Sequence, residues 1–209
     1  MLEEKLAREK GATHIDLHPA LPIAALSRDE AGTELTLVVT MNGERLGSIP
    51  ASDLQSALAE LRSDIQRTTF VVHSLLGHSP ETLANVHAIL EPQRAFLWLH
   101  DFFTVCPSYT LLRNGISYCH APEQESTACT ICSFGEERRD HLLRMRKLFA
   151  DIPFELIAPS AFAAEYWRTK SDLPAAKVHV QPHCTLEARG ARRPQTEGPV
   201  RVAFLGHPS

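Results

Sequence analysis

The chain has 209 residues, room for one large domain or two small ones, and its 44% hydrophobic and 22% charged content excludes wholesale disorder. Acidic residues outnumber basic ones 25 to 21, so the net charge of −4 offers no basic field for nucleic acid. Five cysteines are too few for a disulfide-built secreted scaffold.

No run approaches the roughly 18 apolar residues of a membrane span. The start, Met1-Leu2-Glu3-Glu4-Lys5, has no apolar stretch of the kind a signal peptide carries. The chain reads as soluble and cytoplasmic.

Residues 1–10 fit a short helix, with Leu2 and Leu6 on one face and Gly11 as its stop. A strand is predicted at Thr13–Leu17, followed by breaks at Pro19 and Pro22. Glu34–Thr40 and Arg45–Ile49 form a hairpin around Asn42-Gly43, expected at an edge of the main sheet. Over residues 52–66, Leu54, Leu58, Leu61 and Ile65 mark one helical face.

Thr69–His73 is a short apolar strand. Ser79-Pro80-Glu81 starts a helix that runs to about Leu90, and Ala95–Leu99 is a buried strand leading into His100-Asp101. Residues 102–134 show no period, as expected of a functional or internally stapled excursion. A helix is predicted over Glu136–Phe149, a strand at Phe154–Ala158, a helix from Ser160 to Thr169 and a strand at Lys177–Val180. Residues 185–199 read as a linker, and Arg201–Leu205 opens a new strand. Strands alternating with helices predict an α/β fold with a mostly parallel, doubly wound sheet.

Dinucleotide, P-loop, zincin, α/β-hydrolase and EF-hand signatures are all missing from the sequence. What stands out is C-x12-C-x9-C-x2-C, with Cys106, Cys119, Cys129 and Cys132 inside one aperiodic segment. Four thiolates satisfy tetrahedral zinc and leave no open position, so the metal would be structural. His120 is a spare ligand. Free thiols are one alternative. A redox pair at Cys129 and Cys132 is another, although no strand precedes it as in thioredoxin-like motifs.

In open α/β sheets ligands bind beyond the carboxyl ends of the strands. His73 and His100 end successive predicted strands, with Asp101 placed to orient an imidazole or hold a sugar hydroxyl. Ser160, at a strand-to-helix step, would hold an anion at the helix N-terminus or simply cap it. The basic run Arg138, Arg139, Arg144, Arg146 and Lys147 reads either as a solvated face or as peripheral contact with anionic lipid. Trp98 and Trp167 are expected in the core.

The run Leu97-Trp98-Leu99-His100-Asp101-Phe102-Phe103-Thr104-Val105-Cys106-Pro107 resembles the HD-aromatic…CP segment of family-4-like glycosyltransferases, which have the two-domain GT-B fold. Ala158-Pro159-Ser160-Ala161-Phe162 is similar to the strand-to-helix step of that family. Lys177–Pro182 is similar to the strand that ends its first domain, and Arg201–Gly206 to the first strand of its second. The resemblance covers about residues 68–209.

It implies an acceptor-side, Rossmann-like domain at 1–184, a linker at 185–199 and the start of a truncated donor-binding domain at 200–209. It also implies a nucleotide-sugar donor, a glycan or lipid-linked acceptor, and a retaining, metal-free transfer in surface polysaccharide or lipopolysaccharide assembly. His100 would lie at the reaction centre with Asp101, and His73 and Ser160 would bind substrate. A chain that stops where the donor domain begins is expected to be inactive alone. A non-catalytic zinc-containing binding module and a thiol redox protein are the alternatives.

Overall fold

The structure is a computed structural model and describes residues 2–21, 23–28, 34–123 and 125–184. The expected linker, the strand at Arg201–Leu205 and the start of a second domain lie outside these residues.

Helix α1 (Leu2–Glu9) leads into β1 (Ile15–Pro19), which pairs antiparallel with β2 (Thr36–Met41); β2 in turn pairs antiparallel with β3 (Glu44–Pro50). The β2–β3 turn is Asn42-Gly43, both at positive φ as a tight hairpin turn demands. These strands do not sit at an edge of the main sheet, as expected from the sequence. They form a three-stranded sheet of their own, with a small core in which Leu35 and Leu37 meet Ala51 and Leu54 of helix α2 (Ala51–Leu61). Helix α2 stops short of its predicted end. The chain bends at a 3-10 turn, Arg62–Asp64, where the Arg62 guanidinium donates to the Ile65 carbonyl and to Glu91.

The main sheet is built from β4 (Thr69–Val72), β5 (Arg94–Trp98), β8 (Glu155–Ala158) and β9 (Lys177–Val180), in that spatial order and parallel throughout. The intervening elements are α3 (Pro80–Leu90), the short strands β6 (Leu112–Arg113) and β7 (Ser117–Tyr118), α4 (Thr127–Thr130), α5 (Gly135–Asp151) and α6 (Ala161–Lys170). The result is a mixed α/β fold with a parallel four-stranded sheet flanked by helices. Strand order follows chain order, so among the described residues the sheet lacks the reversal that would make it doubly wound.

The helix starts follow local chemistry. Ser79 caps α3, accepting from the Thr82 N–H at 3.1 Å with Pro80 in the first turn; Ser160 caps α6, accepting from the Ala163 N–H at 3.1 Å. The main core lies between sheet and helices. Leu156 and Ala158 of β8 are fully buried against Met145, Leu148 and Phe149 of α5 and Trp167 of α6. Trp167 meets the sequence expectation of a core residue, and its indole N–H donates to the Thr104 hydroxyl at 3.0 Å.

Helix α5 also fixes the chain just after β5. His141 is buried edge-on to Phe103 and donates from Nε2 to the Phe103 carbonyl. Arg144 grips both Glu81 carboxylate oxygens, at 3.0 and 2.6 Å, and donates to the Ser27 carbonyl at 2.6 Å. That pairing, with a hydrogen bond from Ser79, outweighs desolvation and holds the Glu81 carboxyl down at about 2.

Burial lowers His141, and also His78, from 6.5 to about 4. Both rings are neutral in the fold, so the unfolded chain takes up their protons first as pH falls. This stabilisation is complete above about pH 6.5 and is lost progressively down to about pH 4. The Glu81 contribution is lost lower, between 4.5 and about 2. Urea unfolding should therefore show stability falling between pH 6.5 and 4, and His141→Gln should make that slope shallower. An unchanged slope would exclude His141 as a source.

Candidate functional site

The parallel register brings the carboxyl ends of all four strands to one edge. His73 directly follows β4, His100 lies two residues beyond β5, Ser160 two beyond β8, and His183 three beyond β9. Three of these side chains form a stack with Trp98. The His73 and His100 rings are 5.5 Å apart, His100 and His183 5.2 Å, and Trp98 and His100 5.4 Å with their planes within 1° of parallel. Trp98 thus departs from the expected core role. It is only partly buried, its face forms part of the stack, and its indole N–H is buried without a hydrogen-bond partner.

A hydrogen-bonded chain runs through the cluster. His73 Nε2 lies 2.7 Å from Glu3 Oε2, and His73 Nδ1 lies 3.2 Å from His100 Nε2. A carboxylate can only accept, so a neutral His73 carries its proton on Nε2 and accepts at Nδ1 from His100. That leaves the His100 Nδ1 lone pair free to accept. Burial lowers the His100 pKa, helped by repulsion from His73 and His183; Asp101 and Glu3 pull the other way. Neutral His100 thus gives its Nε2–H to His73 and offers an acceptor at Nδ1. Beside a flat aromatic face, this suits a hydroxyl-rich ligand.

The remaining predicted residues are placed as follows. Asp101 Oδ1 accepts from the Phe103 N–H at 2.9 Å, so the carboxylate closes a backbone turn instead of orienting an imidazole; burial raises its pKa. Ser160 stands on the same sheet edge, with its hydroxyl oxygen accepting at the α6 cap.

The four predicted metal ligands, Cys106, Cys119, Cys129 and Cys132, line a single pocket with Arg138. The Asn114-Gly115 turn, both residues at positive φ, folds β6 against β7 and delivers Cys119, whose N–H donates to the Leu111 carbonyl at 2.9 Å. The Asn114 side chain then ties this hairpin to the C-x2-C turn, accepting from the Ser133 N–H at 2.7 Å and donating to the Ile131 carbonyl at 3.4 Å. Burial pushes the Cys106 thiol up to about 11.

The donor chemistry fits zinc: four soft sulfurs are gathered on one loop. As they stand, no three His, Cys, Asp or Glu side chains among the described residues are arranged to hold a metal ion. His120 packs against Tyr118, with ring centroids 4.4 Å apart, and does not line the pocket.

Four of the five basic residues of the α5 run have partners within the chain, and Arg139 is exposed. Arg138, Arg144, Arg146 and Lys147 are each engaged within the chain, by Cys129, Glu81, Asp172 and Asp151 respectively. Among the described residues no helix is long and apolar enough to cross a membrane.

Sequence reasoning missed Glu3, His183 and the pairing of Arg138 with Cys129. His183 obeys the same strand-end rule that selected His73 and His100, so its signal was present. Glu3 and Arg138 gave none, because their partners lie 70 and 9 residues away in contexts no periodicity marks.

Two outcomes follow. Removing His183 takes away one repulsive neighbour and some burial, so His183→Ala should raise the His100 pKa in an NMR titration; a lower value would contradict the stack. A Cβ at Gly135 would lie 1.8 Å from the Cys129 carbonyl oxygen. Gly135→Ala should therefore cost about 1–3 kcal/mol in chemical denaturation by forcing the C-x2-C turn open, and unaltered stability would show that the turn yields freely. No family model, curated protein or solved structure matches the chain, and the functional reading that follows rests on its own geometry together with the sequence resemblance described above.

Proposed function

We propose that the chain is the acceptor-side, Rossmann-like domain of a nucleotide-sugar-dependent glycosyltransferase, working at the cytoplasmic membrane face in the assembly of surface polysaccharide or lipopolysaccharide. The observation that carries this reading is the strand-edge stack of His73, His100, His183 and Trp98, with Glu3 hydrogen-bonded to His73. It supplies proton acceptors, proton donors and a flat face beyond the carboxyl ends of the parallel strands.

In the proposed reaction a bond forms between the acceptor hydroxyl oxygen and the sugar's anomeric carbon. The bond from that carbon to the nucleotide phosphate breaks on the same face, and the hydroxyl proton passes to the departing phosphate. His100, whose Nε2–H is held by His73, accepts a hydrogen bond at Nδ1 from a hydroxyl of the sugar or the acceptor. His73, anchored by Glu3, holds the His100 ring in place, and Asp101 keeps the following turn closed. Ser160 offers its hydroxyl proton to an anionic group at the α6 N-terminus. The donor nucleotide would be held mainly by residues outside those described. Cys106, Cys119, Cys129 and Cys132 would hold a structural zinc, which stiffens the loop after Asp101 and takes no part in the chemistry.

The test is sugar transfer from nucleotide-sugars to glycan and lipid-linked acceptors by the protein, with acceptor binding followed by ligand-observed NMR. His100→Ala should lower turnover about 100-fold or more while the melting temperature stays near that of the wild type. Near-normal turnover would overturn the assignment. Glycan binding with no transfer from any donor would favour a binding module.

A further inference from the structure

The cysteine pocket holds a charge that neither the core nor the imidazole stack uses. Arg138 is 5% exposed, its Nη1 lies 2.9 Å from Cys129 Sγ, and its Nε is buried without a hydrogen-bond partner. The other engaged basic residues of α5 each take a carboxylate: Arg144 takes Glu81, Arg146 takes Asp172 and Lys147 takes Asp151. Among the described residues Arg138 pairs with no carboxylate.

Its place in the helix deepens the anomaly. Arg138 sits in the first turn of α5, where the helix dipole favours anions and where Glu136 and Glu137 already stand. A buried guanidinium needs a counter-charge, and the pocket, which Arg113 also lines, carries no carboxylate; its only groups able to become anionic are the four sulfurs. Four neutral thiols leave it uncompensated. Four sulfurs on one divalent cation carry a net charge of about −2 and also become strong acceptors of N–H bonds.

We propose that Arg138 is the charge-compensating, positioning residue of a zinc tetrathiolate formed by Cys106, Cys119, Cys129 and Cys132. Zinc entry releases four thiol protons to solvent with no change of oxidation state, and the guanidinium neutralises part of the resulting charge through its bond to Cys129. This rests on the zinc reading given above and assigns it a residue outside the ligand set. Metal-site partners of this kind typically contribute about 10- to 100-fold in affinity.

The experiment compares the wild-type chain with Arg138→Met, Arg138→Lys and, as an exposed neighbour, Arg139→Met. Each is purified under reducing conditions, assayed for zinc by elemental analysis, titrated against a chromophoric chelator and reconstituted with cobalt(II). The expected result is about one zinc per wild-type chain, affinity at least tenfold lower in Arg138→Met, partial recovery in Arg138→Lys and no change in Arg139→Met. The sulfur-to-cobalt charge-transfer bands should shift in the Arg138 variants alone. If Arg138→Met does not fold, Arg138→Lys against Arg139→Met still decides the matter, because lysine keeps the charge but loses the planar donor set.

Wild-type zinc binding with affinities within twofold in both Arg138 variants would overturn this role and leave the zinc staple standing. A wild-type chain that binds no zinc, or that instead forms a reversible disulfide, would overturn both.

Discussion

The parallel registration of β4, β5, β8 and β9 is the constraint on which everything else depends. Val72 opposite Leu97, Trp98 opposite Ile157 and Ala158 opposite Val180 fix where each strand ends relative to its neighbours. His73, His100 and His183 leave the sheet just past those ends, from three different strands. A one-residue slip would turn a strand's side chains to the opposite face and break up the stack. The register is held by apolar burial below it, where Leu97, Leu156 and Ala158 are almost wholly withdrawn from water. The chemistry-bearing edge therefore inherits its precision from a core that has no chemistry of its own.

The segment between β5 and β8 is held at three points that the sheet does not supply. His141 holds Phe103 near its start, Thr104 meets Trp167 of α6, and Asn114 joins the hairpin to the C-x2-C turn. Each is a polar bond formed where apolar packing alone would leave backbone or indole groups unsatisfied. The loop is thus ordered by specific pairings instead of by a repeating pattern, which accounts for its lack of period.

Much of the fold could be read from the sequence because its elements follow local rules. Ser79-Pro80 and Ser160 announced their helices, Asn42-Gly43 announced its hairpin, and the apolar runs around Phe70, Phe96 and Leu156 announced buried strands. The partnership of the hairpin was not legible. Which sheet a strand joins depends on long-range pairing, and Leu37 chose Ala51 and Leu54 over the main core. Within the candidate site, His73 and His100 were legible from the strand-end rule. Trp98 was misread because a single indole in an apolar strand looks the same whether it faces the core or the crevice. The role of Asp101 was less legible, because an aspartate after a histidine carries no sign of whether its carboxylate will meet the ring or, as here, a backbone N–H two residues on.

The position of Trp98 has an optical consequence. Its indole lies parallel to His100 and stacked on His73 and His183, whereas Trp167 is sealed in the interior against Phe149. Imidazolium quenches indole emission at contact and neutral imidazole does so far less. The two tryptophans therefore divide the intrinsic fluorescence of the protein into a constant internal reference and a surface lamp. The lamp's brightness follows the protonation of the neighbouring histidines without any added label.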